Sequence, residues 1–266
     1  MDYRTSSPLV KRFLQYHESV LGHTKATIDA YFSDLKFFAQ WVNDNYPPRK
    51  EHPEGDGVYL ELEQLEQLEK TDIYDYLSYL NRERQLDKVT RGRRLSTIKS
   101  FYRYLVESGQ LEVNIAASVS APKKDRKLPV YLTLEQCNDL IEVPAGTHKL
   151  RDRAILILFL TCGLRVSEMS GLNLKNIHSD HLKVRGKGGK ERIVYLNELA
   201  KDALQQYLAI RRQIETDRAN ADAVFLSQRK RRICIRQIQG LVKKYLYVLE
   251  VEASPHKLRH TAATIM

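Results

Sequence analysis

A histidine and an arginine near the end of the sequence have the spacing of an anion site. His256 and Arg259 stand three residues apart, just after Ser254 and Pro255. Serine is a favoured N-cap and proline a favoured first helical residue, so we predict that a helix begins here. Both side chains then lie on one face at the positive end of that helix, where anions bind. An ordinary capped surface helix has the same spacing and stays an alternative.

A second arginine follows a stretch that must be buried. Arg165 comes after the apolar run 152–160 and Gly163, and Glu168 lies three residues further on. A guanidinium fixed beside such a turn is costly to bury unless it meets a counter-charge. The counter-charge is either Glu168, in a structural pair, or a bound phosphate, and the two are compatible.

A lysine lies in a glycine-rich turn. Residues 181–196 alternate in polarity on both sides of the sequence Gly186-Lys187-Gly188-Gly189-Lys190, which predicts a β-hairpin. Glycine lets the backbone approach a ligand, so the ammonium of Lys187 can reach into a groove. Taken by itself, such a turn is most often an exposed loop that binds nothing, and this interpretation stays an alternative.

The rest of the chain is predominantly helical in its apolar spacing. Thr24 and Thr133 are suited to cap two of these helices. The predicted helices are two within 9–42, then 73–83, 90–107, 133–142, 152–160, 166–172, 199–214 and 235–251, with partial helix at 60–68. Residues 116–129 lose the periodicity and gain proline and charge, as linkers do. We therefore predict a helical domain at 1–115, a linker at 116–129 and a second domain at 130–266.

The distribution of charge indicates a polyanionic partner. Residues 1–126 carry equal numbers of basic and acidic side chains, so the whole net charge of +10 falls in residues 127–266. No apolar run approaches the ~18 residues of a membrane helix, and the first residues do not form a signal-peptide pattern. We expect a soluble cytoplasmic protein that binds no membrane.

Three motifs together resemble the catalytic domain of the tyrosine recombinases, the family of the phage integrases and Xer proteins. In chain order they are GLRxSE, strand-GKGxKER-strand and HxLRHT, at 163–168, 181–196 and 256–261. The N-terminal half, with TKATIDAY at 24–31 and TIKSFYRYL at 97–105, is similar to the family's core-binding domain. The resemblance implies a mainly α fold with a small β-hairpin. A helical, SAM-like core-binding domain precedes a mixed α+β catalytic domain.

The resemblance also implies roles for five side chains. Arg165 and Arg259 would clamp the scissile phosphate and stabilise its growing charge. Lys187 would protonate the leaving 5′-oxygen and His256 would support proton transfer, while Glu168 would brace Arg165. The family's reaction is a transesterification through a 3′-phosphotyrosyl link, used for site-specific recombination and integration of DNA. We expect it to need no metal and no cofactor.

The family's nucleophile is a tyrosine that follows the HxxR segment. None of the 15 tyrosines follows Arg259, and the nearest upstream, Tyr245 and Tyr247, have the spacing of packing residues in the predicted helix 235–251. We therefore expect a chain truncated before its nucleophile, which binds DNA and the scissile phosphate but does not cleave. The alternative is a non-catalytic DNA-binding or regulatory protein with a recombinase fold.

Basic side chains of both halves are candidates for gripping double-stranded DNA from two sides. Most should contact phosphates and so position the protein without choosing a sequence. By the resemblance, further protomers join on the DNA to form a tetramer. The candidate contacts are Lys25, Arg91, Arg93, Arg94, Lys99, Arg103, Lys190, Arg192, Arg229, Lys230, Arg231 and Arg232.

Overall fold

The protein folds into helices with one small sheet, as predicted. The computed structural model describes residues 3–48, 57–123, 131–186, 189–251, 253–254, 257–259 and 261. The chain divides into two compact units, residues 1–126 and residues 127–266. Among the described residues, no helix combines the length and the apolarity that crossing a membrane requires.

The N-terminal unit is entirely helical in the part that is described. Its elements are α1 (Pro8–Gln15), a π-helical turn (Tyr16–Val20), α2 (Lys25–Asn45), α3 (Leu62–Gln67), α4 (Lys70–Arg82) and α5 (Lys88–Glu107). The predicted cap at Thr24 is confirmed, because its hydroxyl accepts a hydrogen bond from the backbone of Thr27. The predicted start of α4 is wrong by three residues. Asp72 lies within the first turn of α4, and its carboxylate accepts a hydrogen bond from the backbone N–H of Glu69 at 2.7 Å.

Large aromatic side chains fill the core of this unit. Phe13, Phe38, Tyr76 and Phe101 come from four different helices and are fully buried. The rings of Phe13 and Phe101 meet edge to face with centroids 5.2 Å apart. Burying each such side chain contributes roughly 1.5–3 kcal/mol, so the aromatic residues hold α1, α2, α4 and α5 together.

One carboxylate is buried within this core. Asp34 on α2 accepts a hydrogen bond from the hydroxyl of Thr97 at 2.7 Å and pairs with Arg93 and Arg94, all three on α5. The guanidinium of Arg94 lies 3.8 Å from the ring centre of Phe37 and is itself buried. Asp34 therefore ties α2 to α5. Sequence analysis places Arg94 among the candidate DNA contacts, whereas the structure buries it.

The C-terminal unit combines five helices with the hairpin in its described part. The elements are α6 (Leu134–Glu142), α7 (Lys149–Cys162), α8 (Val166–Ser170), a 3-10 turn (Leu174–Asn176), β1 (His181–Arg185), β2 (Glu191–Tyr195), α9 (Glu198–Arg211) and α10 (Ile235–Val248). The predicted hairpin is confirmed as an antiparallel pair running from His181 opposite Tyr195 to Arg185 opposite Glu191. Thr133 caps α6 as predicted. Helices α9 and α10 each end three residues before the predicted bound.

Helix α7 forms the centre of the C-terminal core. Ile155, Leu156, Leu158 and Phe159 are fully buried, which confirms the prediction of a buried helix. The helix stops at Gly163, whose φ of 56° is the left-handed conformation that glycine adopts without a Cβ clash. The stop at Gly163 therefore lies two residues before Arg165, the first candidate phosphate ligand in chain order.

Candidate phosphate-binding site

Arg165 and Glu168 form the first part of the site at the start of α8. Arg165 is the N-cap residue, and its backbone N–H donates to Glu168 Oε2 at 2.8 Å. Its Nη1 donates to Glu168 Oε1, also at 2.8 Å. The Glu168 side chain is 1% exposed and that of Arg165 is 49% exposed. The structural pair considered in the sequence analysis therefore exists, and it leaves much of the guanidinium accessible.

Arg192 of strand β2 makes the second contact with the same carboxylate. Its Nη2 donates to Glu168 Oε2 at 2.8 Å, and its side chain is 41% exposed. From the sequence, Arg192 is predicted only as a DNA contact, and its ion pair with Glu168 is not predicted. The sequence contained a signal for an inward contact of Arg192, because Arg192 shares a strand face with Val194, which packs against the core.

These contacts keep Glu168 ionised. Burial by itself would raise the pKa of Glu168, but hydrogen bonds from the Arg165 backbone, Arg192 and the Arg165 guanidinium outweigh it and hold the pKa below its ordinary value. The site therefore contains a permanent negative charge at neutral pH. This single negative charge holds two guanidiniums in place, so the group of three side chains keeps a net positive charge.

Arg259 brings a third guanidinium to the same place. Residues 257–259 are helical, and the backbone of Leu258 donates to the carbonyl of Ser254 at 3.1 Å. Burial, followed by the charge of Arg165, lowers the pKa of Arg259; Glu168 opposes the shift and Arg192 adds to it. Its Nη1 is buried and has no hydrogen-bond partner among the described residues. A buried donor next to other positive charges favours an anionic ligand.

The hairpin turn begins directly beside the pair of Arg165 and Glu168. A Cβ atom on Gly186 would lie 3.7 Å from both Arg165 Nη1 and Glu168 Oε1. The backbone of Gly186 donates to the carbonyl of Lys190 at 2.8 Å and so closes the turn. Lys187 and His256, the two other predicted site residues, lie outside the described residues. Their placement stays a prediction.

The remaining candidate DNA contacts differ in exposure. Arg232 donates to the carbonyls of Ser170 and Leu172, at 3.0 and 3.1 Å, and the Nζ of Lys99 donates to the carbonyl of Ala117 at 3.0 Å. Arg91 is partly buried. The residues whose side chains are mostly open to solvent are Lys25, Arg93, Arg103, Lys190, Arg229, Lys230 and Arg231.

The two upstream tyrosines have different environments. Tyr245 is buried, and its hydroxyl donates to Asp152 Oδ2 at 2.7 Å. Burial, and then this hydrogen bond, raise the pKa of Tyr245 and keep the phenol protonated. Tyr247 is 81% exposed, so the prediction that it has a packing role is wrong. Tyr247 lies on the exposed face of α10. Helical spacing by itself did not distinguish this exposed face from the buried one.

Comparison with known proteins agrees with this fold. Residues 130–266 match the phage integrase family, and residues 9–110 match the N-terminal SAM-like domain of phage integrases. The chain therefore belongs to the phage integrase family of tyrosine recombinases. The resemblance stated from the sequence motifs is confirmed.

Similar proteins include relatives named tyrosine recombinase XerC. The relative from Caldanaerobacter subterraneus subsp. tengcongensis is 38% identical over 97% of this chain and 75% of its own length. The relative from Thermodesulfovibrio yellowstonii is 34% identical over 96% of this chain and 81% of its own length. A lambda integrase tetramer bound to a Holliday junction has the same fold, with a TM-score of 0.72, 15% identity and coverage of 98% of this chain and 73% of that one.

Proposed function

We propose that the chain binds double-stranded DNA and holds the scissile phosphate of a recombination site between Arg165 and Arg259. The observation that carries this proposal is the excess of positive charge around Glu168. Two guanidiniums donate to this one carboxylate, and a third, that of Arg259, interacts electrostatically with all three groups. The buried Nη1 of Arg259 has no hydrogen-bond partner among the described residues. A phosphate supplies the missing negative charge and accepts from that donor.

Each residue of the site then has a role in phosphoryl transfer. The guanidiniums of Arg165 and Arg259 stabilise charge on the non-bridging oxygens, which is the main requirement of this chemistry. Lys187 gives a proton to the leaving 5′-oxygen and His256 orients the phosphate and supports proton transfer. Glu168 holds Arg165 in place. The arginines supply positive charge of the kind that metal ions provide in other phosphoryl-transfer enzymes.

We propose that residues 1–266 bind this phosphate without cutting the strand. Transesterification needs a nucleophile, and no tyrosine follows Arg259 within these residues. A nicked suicide duplex tests the proposal, because a cleaved strand stays covalently attached to the protein. We expect no adduct on a denaturing gel. A covalent adduct mapped to one of the fifteen tyrosines would contradict it.

Phosphate binding is tested without knowledge of the target sequence. We expect inorganic phosphate to raise the melting temperature of wild-type protein, since a ligand that binds only the folded state stabilises it. Arg259→Gln should remove this effect. Arg231→Gln loses an exposed positive charge in the same unit and should keep it. An equal response of the two variants would contradict the assignment of Arg259.

Duplex binding and assembly complete the proposal. The lambda integrase structure is of a tetramer on a Holliday junction, and we propose that this chain likewise meets further protomers on DNA in the cytoplasm. Binding to a fluorescent duplex should weaken with salt, with a log-log slope of about −0.9 for each phosphate neutralised. A salt-independent affinity would contradict the proposed use of the basic residues.

A further inference from the structure

We infer that Arg192 is a positioning residue of the phosphate site, which acts through Glu168 and keeps Arg165 available to the phosphate. The inference rests on the proposed function and deepens it. Arg192 lies in the GKGxKER motif, where sequence reasoning assigns it only to contact with DNA. Its guanidinium instead donates to a carboxylate that is 1% exposed.

The two oxygens of Glu168 are shared unequally between its donors. Oε2 accepts from the backbone of Arg165 and from Arg192 Nη2, and Oε1 accepts from Arg165 Nη1, each at 2.8 Å. Arginine and a carboxylate prefer a two-point contact in which two parallel N–H groups meet both oxygens. Arg192 occupies the second oxygen and so restricts Arg165 to a single contact through Nη1.

The restriction leaves donors of Arg165 for another ligand. A guanidinium has five N–H groups, and one contact with Glu168 commits only one of its nitrogens. Without Arg192, the Glu168 oxygens would lose a charged donor, and Arg165 could replace it by turning its second edge to the carboxylate. Arg165 would then be held by Glu168 and withdrawn from the phosphate. Arg192 thus prevents the intramolecular carboxylate from outcompeting the ligand.

The same contact joins the hairpin to the start of α8. Arg192 stands opposite Val184, whose side chain is buried, and it reaches Glu168 from strand β2. Gly186, at the beginning of the turn, lies against the Arg165 and Glu168 pair. Arg192 therefore fixes the strand that follows this turn relative to the residues that hold the phosphate.

The first experiment needs no DNA and reads the pair itself. In protein labelled with 13C at glutamate and 15N at arginine, NMR follows the pKa of Glu168 and the Nε–H signal of Arg165. We expect Arg192→Gln to raise the pKa of Glu168 and to shift the Arg165 signal. Lys183→Gln removes an exposed positive charge from strand β1 of the same hairpin and should leave the Arg165 signal in place. Unchanged signals in Arg192→Gln would overturn the inference.

The second experiment compares inorganic phosphate binding among variants. Arg192→Gln should weaken binding about tenfold, the scale of one charged hydrogen bond. Arg192→Lys should recover part of the loss, since it keeps the charge but not the fork. Glu168→Gln removes a negative charge and should by itself tighten phosphate binding. In that background, adding Arg192→Gln should weaken binding much less than it does in the wild-type protein, because Arg165 no longer has a competing carboxylate.

The size of the Arg192→Gln effect in the two backgrounds separates the two roles of Arg192. If Arg192 contacted the ligand directly, Arg192→Gln would weaken phosphate binding about equally in the wild-type protein and in Glu168→Gln, which would overturn the inference. Failure of the wild-type protein to bind phosphate would instead contradict the proposed function. In that case the NMR signals of Arg165 and Glu168 still decide whether Arg192 positions them.

Discussion

Each unit of the protein contains one carboxylate buried between two arginines, and the two arrangements differ in what surrounds them. Asp34 and Glu168 have side chains that are each 1% exposed. Beside Asp34, Arg94 is 8% exposed and stacks on Phe37. Beside Glu168, both arginines are about half exposed, and a third guanidinium lies nearby.

The difference indicates how a structural ion pair differs from a candidate ligand site. Asp34 also accepts from Thr97, so the carboxylate and the enclosed guanidinium serve mainly to join two helices. Glu168 accepts from one guanidinium nitrogen of Arg165 and one of Arg192, and both side chains remain about half exposed. Beside Asp34 only Arg93 is exposed, whereas both arginines beside Glu168 are, and this exposure of both partners, rather than burial of the acid, distinguishes the candidate phosphate site.

The largest loss of stability is expected from Asp34→Ala. Removing one member of a buried pair leaves the other uncompensated, which costs about 3–5 kcal/mol. Urea unfolding followed by the fluorescence of Trp41, the single tryptophan, reports on this unit. The control is Asp29→Ala on the same helix. The Asp29 side chain is 38% exposed, so this substitution should lower the free energy of unfolding by less than about 1 kcal/mol. Equal effects of the two substitutions would contradict a structural role for Asp34.

Glu168→Gln should cost less, about 2–3 kcal/mol, because it loses charged hydrogen bonds but its half-exposed partners can turn to water. Calorimetry should show the loss in the C-terminal unit, with the Trp41 transition unchanged. Glu191→Gln, an exposed position on β2, is the matched control. A larger loss than in Asp34→Ala would reverse the comparison between the two carboxylates.

The contribution of Glu168 should also depend on pH in a defined direction. Its pKa in the folded protein lies below the ordinary value of 4.5, so the unfolded chain takes up the proton first as the pH falls. The stabilisation is complete above about pH 4.5 and is lost as the pH falls through the folded pKa. The difference in unfolding free energy between wild type and Glu168→Gln should therefore narrow in acid. A difference that stays constant from pH 7 to pH 3 would disprove this linkage.

The two arginines beside Asp34 should differ from each other. Arg94→Lys loses the stacked guanidinium over Phe37 and should cost about 1–2 kcal/mol. Arg93→Lys changes a side chain that is 50% exposed and should cost less than about 1 kcal/mol. Urea unfolding detected through Trp41 measures both. A larger loss of stability in Arg93→Lys than in Arg94→Lys would mean that the exposed arginine contributes more to the ion pair with Asp34.

The smallest effect on stability, within about 0.5 kcal/mol, is expected from Arg103→Gln on the exposed side of α5. This variant should instead reduce the salt slope of duplex binding by about 0.9, as loss of one phosphate contact does. Arg94→Lys should leave the slope unchanged, because its guanidinium is already enclosed. A lower slope in Arg94→Lys would restore the DNA contact predicted from the sequence.

Features that depend on neighbouring residues could be predicted from the sequence. The hydroxyls of Thr24 and Thr133 start helices because the cap needs only the next three residues. The hairpin at 181–196 follows from alternation around glycines, and the emergence of Arg165 follows from Gly163 at the end of a buried helix. Each of these predictions depends on a segment shorter than about twenty residues.

Pairings between distant residues could not be predicted in the same way. Helical spacing puts Arg94 off the apolar side of α5, and only the arrival of Asp34 from α2 makes its burial favourable. The strand face that Arg192 shares with Val194 indicates an inward contact, but nothing local selects Glu168 as its partner. Long-range contacts of charged groups depend on tertiary packing, which periodicity does not encode. The positions of Lys187 and His256 remain predictions.

The distance along the chain between Arg165 and Arg259 has a consequence for synthesis. They are roughly ninety positions apart, with β1, β2, α9 and α10 between them. A growing chain emerges from the ribosome at about 5–20 residues per second, so Arg165 appears several seconds before Arg259. During that interval Arg165 can pair with Glu168, but Arg259, the second proposed phosphate ligand, has not yet been made. We therefore expect the proposed phosphate site to be incomplete until synthesis has passed Arg259.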